Sequence, residues 1–227
     1  MKTRSLLLLL FLCFPLTASG QINIVWDIPD SLRETVFFDD FDDNNKEWPL
    51  ESDYAKLKIK KGVYEIDRGK DDGSYSITYE GIDFSGEFTI ECKMRKSKGD
   101  NDSVWLGLIW GYQSDADYCN LLVGADGTYQ LAVRSLNEYK KVVDWEENSA
   151  LKEKDKFNVL RVERRANSVT FMGQKLKNLD AYTYHFFLNG ALVKTFNDWP
   201  DVWGDSLGFR VSEGAKIEID YVKVTVP

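Results

Sequence analysis

From Thr35 onward, apolar residues recur at every second position in short runs, and no segment carries a convincing helical stripe. Side chains alternate across a strand with period two, so this pattern specifies half-buried β-strands. The runs are rich in Val, Ile, Phe, Tyr and Thr and are separated by Gly, Asp and Asn. Expected strands are Val36–Phe41, Val63–Asp67, Ser74–Tyr79, Phe88–Met94, Val104–Trp110, Tyr118–Val123, Thr128–Arg134 and Lys140–Val143, then Asn158–Arg164, Ser168–Met172, His185–Leu188, Ala191–Phe196, Ser206–Val211 and Lys216–Val226. Asn189-Gly190 between two apolar runs is a strong hairpin signal, and Asp126-Gly127 and Asp72-Gly73 mark further tight turns. So many strands without interleaved helices bury their apolar faces only as two stacked sheets or a closed barrel.

Ahead of this pattern lies an export signal. Lys2 and Arg4 precede the apolar run Leu6–Phe14, and Ala18-Ser19-Gly20 forms a small-residue cleavage site before Gln21. The run is shorter than the ~20 residues a membrane-spanning helix needs, so no membrane insertion is expected. Cys13 raises lipidation as an alternative, but Leu12 stands where a lipobox takes a small residue. The expected organisation is therefore a signal peptide over 1–20, an N-terminal arm over 21–34 and one domain over 35–227, exported to the periplasm or the medium. Without Lys2 and Arg4, 27 of the 29 basic residues remain against 37 acidic ones, a net of −10. That balance argues against nucleic acid or an anionic membrane as partner. A single histidine, His185, excludes a His-rich metal cluster, and its place beside Phe186-Phe187 suits a structural role.

Two short segments then carry a resemblance. Asp39-Asp40-Phe41 with Trp48, and Ile219-Asp220-Tyr221-Val222-Lys223-Val224, resemble the first and last strands of concanavalin A-like jelly rolls, the fold of laminin-G-type modules, many lectin-like domains and family 16 β-glucanases. Gly62-Val63-Tyr64-Glu65-Ile66, Gly107-Leu108-Ile109-Trp110, Asp126-Gly127-Thr128-Tyr129, Phe187-Leu188-Asn189-Gly190 and Leu207-Gly208-Phe209 extend it over nearly the whole domain. The stretch 173–184 departs from it by lengthening a connection that is usually a tight hairpin. The resemblance implies an all-β, two-sheet antiparallel sandwich and divides the function between an enzyme and a binding module.

The enzyme needs two carboxyls about 5–5.5 Å apart. Both Glu-Ile-Asp triplets, Glu65–Asp67 and Glu218–Asp220, lack the second Glu of the glucanase motif, and no Gly-x-Ser-x-Gly elbow frames a nucleophile. No catalytic residue is assigned; a sandwich-fold hydrolase with another motif stays open as an alternative. Alternation sorts the central strands instead. Phe88, Ile90, Cys92, Met94, Val104, Leu106, Leu108, Trp110, Cys119, Leu121, Val123, Tyr129, Leu131 and Val133 point inward, which leaves Glu91, Lys93, Trp105, Tyr118, Asn120, Gln130 and Arg134 on one outer face. Rings that stack on sugars beside amides and a guanidinium suit a carbohydrate ligand. The expected partner is a glycan, with a protein-interaction module as the alternative.

The last strand changes phase. Ile217 and Ile219 lie on one parity and Val222, Val224 and Val226 on the other, which implies a bulge near Asp220-Tyr221. In the resembling families an Asp here joins backbone carbonyls around a structural calcium. The corresponding partners are Gly62 and the segment beginning at Asp39, a region rich in the oxygen donors that a hard cation takes. No organic cofactor is expected. The acidic loops at Asp100-Asn101-Asp102 and at Asp115 and Asp117 are read as solvated. Cys92 and Cys119 are expected to be buried free thiols, on the premise that Phe88–Met94, Val104–Trp110 and Tyr118–Val123 pair in sequence order and hold the two cysteines two strand spacings apart.

Overall fold

The computed structural model describes residues 24–26, 32–69, 73–97, 103–152, 155–171, 174–200 and 204–227. The expected signal peptide, its cleavage point near Gly20–Gln21 and the Asp100–Asp102 loop lie outside these. Among the described residues no helix is long and apolar enough to cross a membrane. The chain forms two antiparallel sheets. The larger contains β1 (Ile24–Trp26), β2 (Glu34–Asp39), β3 (Lys56–Ile59), β4 (Tyr64–Asp67), β6 (Phe88–Lys96), β11 (Asn158–Phe171), β12 (Gln174–Leu188), β13 (Ala191–Phe196) and β15 (Lys216–Val226). Its strands run β1-β12-β11-β6-β15-β4-β3, with β13 beside β12 and β2 beside β15. The smaller sheet contains β5 (Tyr75–Tyr79), β7 (Trp105–Ser114), β8 (Asp117–Gly124), β9 (Thr128–Ser135), β10 (Glu138–Glu147) and β14 (Ser206–Val211), in the order β10-β9-β8-β7-β14-β5.

The inner faces meet in one core. All fourteen side chains assigned inward on the central strands are buried in it. Phe41, Trp48, Tyr64 and Phe209 form its aromatic centre, with Trp48 stacked on Phe209 at 5.2 Å. Each fully buried side chain of this size stabilises the fold by roughly 1.5–3 kcal/mol. The indole N–H of Trp48 donates to Asp39 Oδ2 at 2.7 Å, and the Phe41 amide donates to Asp39 Oδ1 at 2.9 Å. A buried indole N–H needs such an acceptor, so the carboxylate is part of the core.

One premise of the sequence reading is corrected. β6 does not neighbour β7; it crosses to the larger sheet, where it pairs with β11 and β15. Alternation of apolar residues is the same whichever sheet a strand joins, so parity was right and membership wrong. Cys92 and Cys119 are indeed free and buried, but from opposite sheets rather than across one strand. Residues 174–184 prolong a long β11–β12 pair, which takes in Ser168–Phe171 of the expected strand Ser168–Met172, and β1 adds to its edge through Ile24–Trp26 opposite Leu176–Asn178; Met172 and Gly173 lie outside the described residues. Lys56–Ile59 is a further strand, joined to β4 through Lys61-Gly62.

Candidate functional site

The outer face of the smaller sheet is built by register. Tyr118 lies directly opposite Arg134, Asn120 opposite Ala132 and Leu122 opposite Gln130, while Ile109 lies opposite Asn120 on the other side and Tyr139 opposite Arg134. Residues opposite one another in an antiparallel pair share a face, so these side chains stand together. Tyr118 is 1 % exposed and Asn120 0 %, and Ile109, Leu122, Gln130 and Ala132 are also buried, although none of these six belongs to the inter-sheet core.

Polar contacts organise this floor. The Tyr139 hydroxyl donates to Gln130 Oε1 at 2.7 Å and accepts from Asn120 Nδ2 at 3.3 Å. Burial, with the Tyr118 hydroxyl near by, pushes the Tyr139 phenol above its ordinary value against the opposing pull of the Asn120 bond, Arg210 and Arg134. Asn120 Oδ1 is sealed without a hydrogen-bond partner among the described residues. Arg210, on β14 beside β7, lays its guanidinium over the Tyr118 ring at 4.9 Å and donates to Ser74 Oγ at 2.6 Å and Ser76 Oγ at 2.8 Å. Tyr112 stacks on Tyr118 with centroids 6.1 Å apart, and its hydroxyl meets Asp115 Oδ1 at 3.3 Å.

Five of the seven expected binding residues share this face: Trp105, Tyr118, Asn120, Gln130 and Arg134. Trp105 stands apart, opposite Gly124, six residues along β8 from Tyr118 or roughly 20 Å. The other two are corrected. Glu91 and Lys93 ride on β6 and project from the outer face of the larger sheet, where Glu91 accepts from the Tyr221 hydroxyl at 2.7 Å and Lys93 pairs with Asp220 at 2.8 Å. Sequence reasoning missed Arg210, Tyr139 and Tyr112. Alternation of Leu207, Phe209 and Val211 turns Arg210 outward, but nothing local shows that β14 inserts beside β7. Tyr112 shares the inward parity of Trp110, and a register shift after Trp110, at Gly111 with φ +58°, re-aims it.

Two of the expected cation ligands are engaged by other groups of the protein. The bulge at Asp220 is present: the β15–β6 register shifts between Ile219 and Tyr221. The Asp220 carboxylate pairs with Lys93, and that of Asp39 is held by Trp48 and Phe41. Beside Gly62 the space a Cβ would fill lies 3.0 Å from Asp42 Oδ1 and 3.9 Å from the Asp40 carbonyl, hard oxygen donors that suit a hard cation. Among the described residues no cluster of three or more His, Cys, Asp or Glu side chains is placed to hold a metal, so such a site would depend on backbone carbonyls.

The two Glu-Ile-Asp triplets lie on adjacent strands of the larger sheet, with Glu218 directly opposite Glu65. Glu218 accepts from Arg95 Nε at 2.8 Å and Ser97 Oγ at 2.9 Å, beside a cavity of about 310 Å³, and Glu65 pairs with Lys58 at 3.0 Å. On the smaller sheet, strands β5, β7, β8, β9 and β14 carry one carboxylate between them, Asp117, which accepts from the Leu136 amide at 2.9 Å.

No family model matches the chain, and no curated protein matches it in sequence. Solved structures do match in fold. The endo-1,3-β-glucanase of Streptomyces sioyaensis superposes with a TM-score of 0.61 at 13 % identity, over 88 % of this chain and 98 % of that one. The carbohydrate-binding module CBM66 of Bacillus subtilis gives 0.55 at 12 % identity, over 76 % and 92 %. The fold is the concanavalin A-like jelly roll. A jelly-roll structure described among endo-acting O-glycanases of the human gut microbiota gives 0.57 at 12 % identity, over 84 % of this chain and 98 % of that one. At such identities the likeness is one of fold alone, and one jelly roll serves both binding and hydrolysis, so side chains must decide between them.

Proposed function

We propose that this chain is an exported carbohydrate-binding module without hydrolytic chemistry, and that sugar docks on the outer face of the smaller sheet around Tyr118. One observation carries the reading: the face groups tyrosine rings, two amides and two guanidinium groups, while β5, β7, β8, β9 and β14 hold one carboxylate, Asp117, bonded to the Leu136 amide, and β10 brings Asp144 beside Gln130, bonded to Gln130, Lys141 and the Trp145 amide. A glycosidase of the two-carboxylate type lacks its pair there. Rings offer stacking area to the apolar faces of sugars, and amides offer planar donors and acceptors to hydroxyls. The fold shared with a carbohydrate-binding module and with glucanases supports a glycan as ligand.

A glycan panel measured for both binding and reducing-end release tests the proposal. Binding without turnover, weakened by Tyr118→Ala, is expected. Turnover would select the hydrolase, and silence in both assays a protein partner. The proposal includes a structural calcium held by Asp42 and the Asp40 and Gly62 carbonyls beside the Asp220 bulge; bound there, it would tie the first strands to the last. Chelator should then lower the melting temperature of the wild type and leave that of Asp42→Ala little changed. Equal melting curves with chelator and with added calcium remove the metal.

A further inference from the structure

The chain is acidic, with 37 carboxylate residues against 29 basic ones, so an arginine has no shortage of partners. Most find them. Arg33 pairs with Glu87, Arg95 with Glu218, and Arg161 and Arg165 with Glu163. Arg68 donates to the Tyr54 carbonyl, and Arg164 to the carbonyls of Phe84, Ser85 and Gly86.

Two arginines break this rule, and both stand at the Tyr118 end of the candidate face. Arg134 has no hydrogen bond or ion pair among the described residues, and its Nε is sealed from solvent without an acceptor. Among the described residues Arg210 is held by two neutral serine hydroxyls and the Tyr118 ring, with no carboxylate. Arg134 is the cross-strand partner of Tyr118 and Arg210 lies over that ring, so the two cations flank one aromatic side chain. Both act electrostatically on the same Tyr139 hydroxyl. Carboxylates around this end already have other partners, Asp115 the Tyr112 hydroxyl, Asp117 the Leu136 amide, and Asp144 Lys141, Gln130 and the Trp145 amide. Serine hydroxyls fix the Arg210 fork without cancelling its charge. A guanidinium matches the planar or tetrahedral oxyanions of carboxylate and sulfate with parallel N–H donors, and binds them more strongly than neutral hydroxyls.

We propose that the sugar bound on this face is acidic, its carboxylate or sulfate received by Arg134 and Arg210 on either side of Tyr118. This rests on the carbohydrate-binding reading above and narrows it to a ligand class. The anion supplies the partner that the protein withholds from both cations, and the aromatic rings give the sugar ring a surface to lie on. The negative net charge works against long-range attraction, so the selection is local and resists salt.

Titration calorimetry at about 0.15 M salt, where exposed charges beyond ~8 Å are screened, tests this. The probes are uronate-, sialate- and sulfate-bearing oligosaccharides, each beside its carboxyl-reduced, desialylated or desulfated counterpart, with poly-glutamate as a charge control. The acidic form should bind at least about tenfold tighter than its neutral counterpart, as charge-assisted bonds require, and the arm that binds identifies carboxylate or sulfate. Arg134→Ala should abolish that preference with an unchanged melting temperature, and Arg134→Lys should restore part of it. Should Arg134→Ala fold poorly, Arg210→Lys gives the same reading. Equal affinity for acidic and neutral forms, or a preference that survives both arginine substitutions, overturns the acidic ligand and leaves carbohydrate binding standing. Equal affinity for poly-glutamate also overturns it. Failure of every saccharide to bind a correctly folded protein removes both proposals.

Discussion

Two tryptophans five residues apart on β7 do opposite work. Trp110 is 0 % exposed, packed on Phe186 and Trp199, while Trp105 sits half-buried on the outer face at the end remote from Tyr118. Trp110→Ala should cost about 3–5 kcal/mol in a denaturant titration. Trp105→Ala should leave the midpoint nearly unchanged and weaken binding only of oligosaccharides long enough to span the face, a contrast a chain-length series reads directly. Parity alone separated these two, so that difference was legible in the sequence. Tyr112 was not, because the shift after Trp110 breaks the count, and Arg210 was not, because its neighbours come from a distant part of the chain. Glu218 makes a further prediction. Burial is the largest influence on its carboxyl and raises it, but the bonds from Arg95 and Ser97, with the charges of Arg95 and Lys216, together outweigh burial and hold it below its ordinary value of 4.5. A carboxyl lowered by folding lends stability above the unfolded value and loses it as pH falls through the folded one. Between about pH 5 and pH 3 the wild type should therefore lose more stability than Glu218→Gln, measured as the shift of the urea midpoint. Equal shifts would assign Glu218 no part in acid unfolding.

Among the strands that alternation predicts, β15 is the most legible and β6 the least. The two halves of β15 place apolar residues on opposite parities, and only a bulge reconciles Ile219 with Val222 on one buried face. β6 alternates without fault, which fixes its inner face but not its sheet, and the resulting error moved Glu91 and Lys93 onto the wrong surface. The β12–β13 hairpin turns where Asn189-Gly190 predicts, and its turn does more than reverse the chain. Asn189 and Gly190 take φ of +49° and +84°, the left-handed pair that a two-residue turn with the strands' own twist requires. The Asn189 side chain also accepts from the Val159 amide at 2.9 Å and donates to the Ala150 carbonyl and Asn158 Oδ1, both at 2.7 Å, which joins the turn to β11 and to the loop before it. Asn189→Ala should destabilise by about 2–4 kcal/mol, from lost hydrogen bonds plus left-handed strain. Asn189→Gly relieves the strain but not the loss of bonds, so it should fall between the two; a glycine variant as stable as wild type would show that the bonds contribute nothing.

For the whole molecule, the division into two sheets decides what the cysteines can do. An exported chain with two cysteines invites a disulfide, and sequence order suggested that one intervening strand keeps Cys92 and Cys119 apart. The separation has another cause. Cys92 projects inward from β6 in the larger sheet and Cys119 inward from β8 in the smaller one, each 0 % exposed. Sheets packed face to face stand ~10 Å apart, whereas a disulfide needs Cα atoms within ~7 Å. Closing that gap would pull the sheets together through a core filled by Trp110, Phe186 and Trp199. Cys119 lies fully buried behind Trp199, whose indole N–H donates to its sulfur at 3.0 Å, and burial raises the Cys92 thiol well above its ordinary value, so reagents reach neither sulfur in the folded chain. Both should resist alkylation in the native protein at neutral pH and react fully once it is unfolded without reductant, each giving a singly modified peptide by mass spectrometry. A cross-linked Cys92–Cys119 peptide would overturn the free-thiol assignment and require the two sheets to stand closer at this point of the core than their ordinary spacing.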